Sequence, residues 1–301
     1  MNAPLHILHV FWFVWGSCVG SFLNVCIWRM PREQSIVAPR SRCPGCGHAI
    51  AWYDNIPLVS FLALRGACRH CRGRINWRYP LVELLTAVAT VVTLSRFGAG
   101  PVGLIYLVFI YGLLTASFID IDFRIIPDEI SLGGLVLGVI VSVLVPSLHD
   151  TTSRWVSLQR SVVGLLVGGG WLYATGALGD GMLRGLRHLG ILLRRNRFWR
   201  MKLARYRHMR ESMGGGDVKL LAMAGSILGW KLVTMTFFLA PILAVIPGLV
   251  MVLLNRSHYI PYGPYLSLAL MVLLFFGQEL LAVSGIEGTL RLFWQYYGWS
   301  G

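Results

Sequence analysis

Asp120 and Asp217 are the residues in this chain best placed to do chemistry. Each sits at the end of a long apolar run, the second inside Gly214-Gly215-Gly216-Asp217. A carboxylate at a membrane boundary is costly, about 2.5–3.5 kcal/mol at a helix centre. Two of them, far apart in sequence and each followed by another apolar helix, point to one shared site. Carboxylates held close share a proton, so one serves as base and the other as acid, and water can be activated between them. The first stretch continues through Asp122, Arg124, Pro127 and Asp128. Pro127 favours an extended or turned backbone, Asp128 is placed to cap the following helix, and Asp122 reads as a solvated turn residue. Around Asp217, Gly214 and Gly216 permit close approach and unusual backbone angles, and Lys219 is placed to pair with an acid or to reach the interface. No G-x-x-x-x-G-K-[ST] pattern follows, so the glycines are not a phosphate loop. Taken singly, each stretch also reads as an ordinary loop or a glycine-rich turn. Their pairing on one side of the membrane favours chemistry.

Four of the six cysteines form a second constellation. Cys43-Pro44-Gly45-Cys46 and Cys68-Arg69-His70-Cys71 are two C-x2-C pairs separated by 21 residues. Each pair offers two thiolates from one tight turn, and two such turns complete a tetrahedral four-cysteine zinc site. The surrounding loop has too little apolar mass for a core of its own, so a bound metal would supply its folding energy. Two disulfides are the alternative, but this loop is assigned to the reducing cytoplasm. Its arginines, with Trp52 and Trp77, could also suit nucleic acid. Charge on a cytoplasmic loop already has a topological explanation, so no nucleic-acid partner is expected. Cys18 and Cys26, in the first apolar segment, read as small buried hydrophobes.

The elements that must hold these groups are apolar helices. The 301 residues are 55% hydrophobic and only 13% charged, against about 25% charged in soluble domains. Eight hydrophobic segments are expected: about 8–28, 80–95, 101–119, 130–148, 161–179, 217–230, 232–254 and 264–283. Several approach the ~20 residues that span a bilayer, and the sixth is short. The predicted fold class is an all-α polytopic membrane protein with about eight transmembrane helices and a small cytoplasmic four-cysteine zinc-binding loop domain. The formal charge is +14, and 22 of the 27 Lys and Arg lie in or beside 29–79, 120–129, 180–219 and 255–263. The positive-inside rule places those loops in the cytoplasm and both termini outside, and anionic lipid of the inner leaflet is an expected contact. The first segment lacks a basic n-region and is expected to be retained rather than cleaved.

These residues together resemble the bacterial type IV prepilin peptidases, intramembrane aspartic proteases of the GxGD type. Gly20-Ser21-Phe22-Leu23-Asn24-Val25 and Arg29-Met30-Pro31 resemble the N-terminal signature of that family. Arg42–His48, Trp52-Tyr53-Asp54-Asn55-Ile56-Pro57 and Arg78–Glu83 resemble its cysteine domain. Asp120 with Pro127-Asp128 and Gly214–Leu220 resemble its two catalytic stretches, and Ile260–Tyr265 resembles a further family segment. The resemblance implies cleavage of a prepilin or pseudopilin leader after a glycine on the cytoplasmic side, with Asp120 and Asp217 catalytic. It also implies N-methylation of the new N-terminal residue with S-adenosylmethionine as donor, an activity the family ties to the cysteine domain. No Rossmann-type glycine fingerprint for that cofactor is present, and Asn24, Arg29, Asn55 and Glu83 are named as candidates for its site. Glu83 also reads as a helix-dipole partner.

Three domains are then expected: 1–28 the first transmembrane helix, 29–79 the zinc domain, and 80–301 the peptidase membrane domain, in the bacterial inner membrane. Within the last, a basic cytoplasmic insert at about 181–212 departs from the usual pattern. Its centre, Arg194–Arg200 with Phe198 and Trp199, reads as an amphipathic segment on the inner leaflet. Two rival readings remain: a GxGD protease without methyltransferase activity, and a proton-coupled transporter using its intramembrane acids as a relay.

Overall fold

The structure, a computed structural model, describes residues 3–192, 214–253 and 261–283. The expected amphipathic segment at Arg194–Arg200 lies outside the described residues, as does most of the basic insert. The described chain is all helical. Its helices are α1 (Ala3–Arg29), the short α2 (Val59–Ala63), α3 (Arg78–Phe97), α4 (Pro101–Phe123), α5 (Asp128–Leu144), α6 (Arg154–Leu192), α7 (Gly215–Leu253) and α8 (Gly263–Val283). Among the described residues, five stretches are long and apolar enough to cross a membrane: His6–Arg32, Arg78–Phe97, Pro101–Phe123, Arg154–Met182 and Gly215–Val250. This is a membrane protein. Three of the eight expected segments are not separate stretches among the described residues, one of them α8, which counts only as the shorter apolar helix Gly263–Gly277. At 17 residues, α5 is short for a span. The expected sixth and seventh segments are the two helical halves of α7, which meet at Gly229 with φ 77 and ψ 172, backbone angles that glycine tolerates and other residues rarely adopt, and together they form the one stretch Gly215–Val250.

The chain divides into two compact units, Met1–Gly134 with Pro261–Ser267, and Leu135–Ile260 with Leu268–Gly301. In the first, α1 and α3 pack backbone to backbone. A Cβ on Gly20 would lie 2.7 Å from the Glu83 Cα, and one on Gly16 would lie 2.8 Å from the Ala87 Cα. Small residues four apart let apolar helices approach where no hydrophobic effect drives them together. Facing them, the buried Thr86 and Thr90 turn their hydroxyls back onto the carbonyls of Val82 and Thr86, which satisfies them within the helix. A cluster of Leu23, Ile27, Val82 and Ile119 ties α1 and α3 to α4.

The second unit repeats the device with Gly164 and Gly168 of α6 against α7. A Cβ on Gly164 would fall 2.0 Å from the Gly225 carbonyl oxygen, and one on Gly168 would fall 2.4 Å from that of Leu221. The break at Gly229 takes the Ser226 carbonyl out of the regular helix ladder. That oxygen accepts the Ser161 hydroxyl at 2.8 Å instead.

Between α1 and α3 lies the cysteine loop. Arg29, at the end of α1, donates to the carbonyls of Ser35 and Pro39 at 2.8 and 2.6 Å, folding the loop's start back onto the helix. From residue 29 to 79 only Ser60 is buried. A segment with so little core depends on something other than apolar burial for its shape.

Candidate functional site

The two cysteine pairs form matched turns. In the first, the Cys43 N–H donates to the His48 carbonyl at 2.9 Å and the Gly47 N–H to that of Cys43 at 2.8 Å. In the second, the Cys68 N–H donates to the Gly73 carbonyl at 2.9 Å and the Arg72 N–H to that of Cys68 at 3.0 Å. Single antiparallel bridges, Arg42 with Ala49 and Ala67 with Arg74, close the base of each turn. The Sγ atoms of Cys43, Cys46, Cys68 and Cys71 all lie within 4.8 Å of one another, with Cys43 and Cys71 3.8 Å apart. Sulfurs about 2.3 Å from a tetrahedral zinc sit about 3.8 Å apart, so the four fit that ion. The backbone N–H groups of Cys71 and His70 hold the Cys68 thiol down at about 7, towards the thiolate that metal binding requires. Against the lowering effect of its bond to the His48 backbone, desolvation and the neighbouring Cys43 and Cys71 push Cys46 up to about 11. Beside the site, His48 and His70 lie ring on ring at 3.6 Å between centroids.

Against this loop, α1 and α3 wall a cavity of about 1470 Å³. Asn24, Arg29, Asn55 and Glu83, chosen from sequence as candidates for one site, all line it. Three of them also make bonds that shape it. The Asn24 side-chain amide donates to the Tyr79 carbonyl at 3.0 Å. The Glu83 carboxylate accepts the Leu58 N–H at 2.8 Å, and Leu58 itself holds a positive φ of 60°. Arg29 makes the two carbonyl contacts described above. So Glu83 bonds a specific loop amide, which is a more particular task than a general helix-dipole role. Also lining the cavity, Arg69 pairs with Asp54 at 2.6 Å and holds its carboxyl below the ordinary range.

Asp120 lies in the last turn of α4 and is 7% exposed. The helix ends at Arg124 in the left-handed conformation, whose N–H donates to the Asp120 carbonyl at 2.9 Å. The Asp120 Oδ2 accepts the Gly263 N–H at 2.9 Å. Asp122 is no free turn residue. It is an ion-pair partner of Arg78, which also donates to the Phe118 carbonyl at 3.1 Å. A residue at the start of α3 thus pins the end of α4. Sequence reasoning missed this, because nothing local to Asp122 points 44 positions back. Asp128 opens α5 within its first turn rather than standing before it, where a carboxylate suits the helix dipole.

Asp217 belongs to the second unit, in the first turn of α7. Its N–H donates to the Gly214 carbonyl at 3.1 Å. A Cβ on Gly214 would come 3.1 Å from the Asp217 Oδ2. Gly214 therefore serves by lacking a side chain. Gly215 and Gly216 lie in the first turn of α7. Lys219 is half-buried in the same helix. Of the first apolar helix's two cysteines, Cys26 is buried as expected and Cys18 is exposed.

Residues 14–97 match the bacterial peptidase A24 N-terminal domain, and residues 107–249 match the type IV leader peptidase family. A protein of Myxococcus xanthus named prepilin leader peptidase/N-methyltransferase is 38% identical over 244 residues, which cover 81% of this chain and 63% of that protein. Proteins of the same name from Pseudomonas putida and Pseudomonas aeruginosa are each 33% identical. The first alignment covers 89% of this chain and 91% of the relative, the second 88% and 89%. No solved structure matches the chain.

Proposed function

The chain belongs to the type IV leader peptidase family, and from that premise we propose that it is a bifunctional membrane enzyme. It cleaves the leader of type IV prepilins or pseudopilins after a glycine at the cytoplasmic face, and it methylates the new N-terminal residue. The observation that carries the peptidase half is Asp120. It is a carboxylate buried at the end of an apolar helix and held there by a backbone N–H.

In this reading Asp120 and Asp217 are the catalytic pair. One, ionised, takes a proton from water, and the other, protonated, donates to the scissile carbonyl oxygen. Their titration belongs to the pair. Gly214 and Gly216 keep the backbone beside Asp217 bare, and Lys219 and Asp128 support the surrounding charge. The substrate's apolar segment lies in the membrane and its basic leader in the cytoplasm. Residues 80–301 carry the peptidase, and residues 29–79 carry methylation.

The zinc held by Cys43, Cys46, Cys68 and Cys71 is structural and fixes the loop that walls the cavity. S-Adenosylmethionine supplies an electrophilic methyl group when bound. The cavity has ample room for it, since drug-sized ligands occupy about 300–1,000 Å³, and Asn24, Arg29, Asn55 and Glu83 are the residues assigned to hold it. The remaining volume receives the substrate's new N-terminus. The topology that suits this chemistry puts both termini outside the inner membrane and the basic loops against its anionic leaflet.

The test is mass spectrometry of a prepilin incubated with the purified protein and S-adenosylmethionine, beside Asp217→Ala. Leader loss with one added methyl in the wild type, and no leader loss in the mutant, is the expected result. Leader loss without methylation would leave a protease alone. No leader loss from folded protein would overturn the reading.

A further inference from the structure

The start of α8 makes one contact that no catalytic step above has used. A helix begins with N–H groups that have no partner within the helix. The N–H of Gly263, the first residue of α8, points instead at the Asp120 Oδ2, 143 positions earlier in the chain, at 2.9 Å. Both residues are buried, so the bond is made away from solvent and is worth more than an exposed one. A Cβ at position 263 would lie 2.8 Å from Oδ2, 3.2 Å from Cγ and 3.3 Å from Cβ of Asp120. Only glycine can both offer this donor and leave the carboxylate where it is.

The approach to Gly263 is stiff. Pro261 and Pro264 flank it, each with a fixed φ and no N–H of its own. The first turn is anchored on the Tyr262 carbonyl, which accepts the N–H groups of Tyr265 and Leu266, each at 3.1 Å. The donor is therefore presented by a backbone with little freedom.

We infer that Gly263 is a positioning residue for Asp120, fixing the rotation of its carboxylate by occupying Oδ2 and leaving Oδ1 as the oxygen that meets water or the scissile carbonyl. This inference rests on the proposed peptidase reading and deepens it. The sequence marks Ile260–Tyr265 as a family segment, but nothing in it ties Gly263 to Asp120.

The experiment compares wild type, Gly263→Ala, Asp120→Ala and Ser267→Ala, as full-length purified enzymes. Two substrates are used: a prepilin, and the same pilin already shortened to its mature N-terminus. Alanine is a better helix former than glycine, so Gly263→Ala should fold. A displacement of about 1 Å at a reacting group costs on the order of 100-fold. Gly263→Ala is expected to lose about 100-fold in kcat for cleavage with little change in KM, while methylating the shortened pilin at the wild-type rate. Ser267 lies one turn further along α8, with a buried hydroxyl that has no hydrogen-bond partner. Ser267→Ala should therefore cleave as the wild type does, and Asp120→Ala sets the floor. Cleavage by Gly263→Ala within about threefold of wild type would overturn the inference. So would equal loss of cleavage and methylation, since that is the mark of a structural defect. Should Gly263→Ala not accumulate, Pro261→Ala keeps the donor but loosens its approach. A partial kcat loss without a KM change is expected there, and wild-type kcat would count against the inference. Failure of the wild type itself to cleave would instead overturn the peptidase reading.

Discussion

Between residues 29 and 79 the chain buries one residue, Ser60, whereas the 23 residues of α4 bury ten, Asp120 among them. The loop takes its shape from two hydrogen-bonded turns, a four-thiol cluster and side-chain contacts to backbone at its edges. The helices take theirs from glycines that let backbones touch. The first kind of structure depends on an ion and on the protonation of its ligands. The second depends on the absence of side chains at Gly16, Gly20, Gly164 and Gly168. One protein thus holds two parts whose failures should be separable, and the division follows its two proposed activities.

The sharpest test of that division removes a carboxylate. Asp120→Ala and Asp217→Ala should each lower cleavage by more than about 1,000-fold, with methylation of a shortened pilin intact. If both activities disappear, the two parts are not independent. Stripping the metal is the reciprocal experiment. A zinc chelator, or Cys43→Ser, should abolish methylation and expose the loop to limited proteolysis, while circular dichroism reports undiminished helix. Loss of helix along with the loop would break the comparison.

Smaller effects sharpen it. Gly20→Val or Gly164→Val forces two backbones apart and should cost about 3 kcal/mol, read as a lower thermal midpoint at unchanged zinc content. Glu83→Ala leaves the Leu58 N–H without its partner, worth about 1–3 kcal/mol, and should loosen the loop in hydrogen exchange before it affects the helices. Smallest is Asp54→Asn, which removes one ion pair to a solvent-exposed arginine. Arg69 lowers the folded-state pKa of Asp54. The pair therefore contributes above the unfolded carboxylate value of about 3.9, and its contribution is lost as pH falls through the lower folded value. The loop of Asp54→Asn should accordingly lack the acid-dependent step expected in thermal melts of the wild type taken across that pH range.

Much of this was legible in the sequence, because spacing along the chain carried it. C-x2-C pairs must form turns, so the Cys43–Cys71 cluster could be read directly. Apolar runs must become helices, so most long helices were expected close to where they lie, whereas α6 (Arg154–Leu192) runs well past its apolar stretch 161–179 at both ends. Contacts between distant residues were hidden. Nothing near Asp120 announces Gly263, nothing near Asp122 announces Arg78, and Glu83 gives no sign that its partner is the amide of Leu58. The expected segments 217–230 and 232–254 correspond to the two helical halves of α7, whose junction at Gly229 lies beside the boundary that hydropathy indicated.

The bond between Asp120 and Gly263 also sets a rule of parity. Two residues that touch lie at one depth in the bilayer, so the chain between them must cross an even number of times. One solution has α6 leave and an unbroken α7 return, which starts Asp217 on the face opposite Asp120. The other has α5 leave, α6 return, and α7 leave and return about its break, which starts both acids from the same face. At 39 residues, α7 would run about 58 Å if straight, against about 30 Å of hydrocarbon. The proposed catalytic pair requires the second solution, and with it a chain that turns back at the non-helical Gly229.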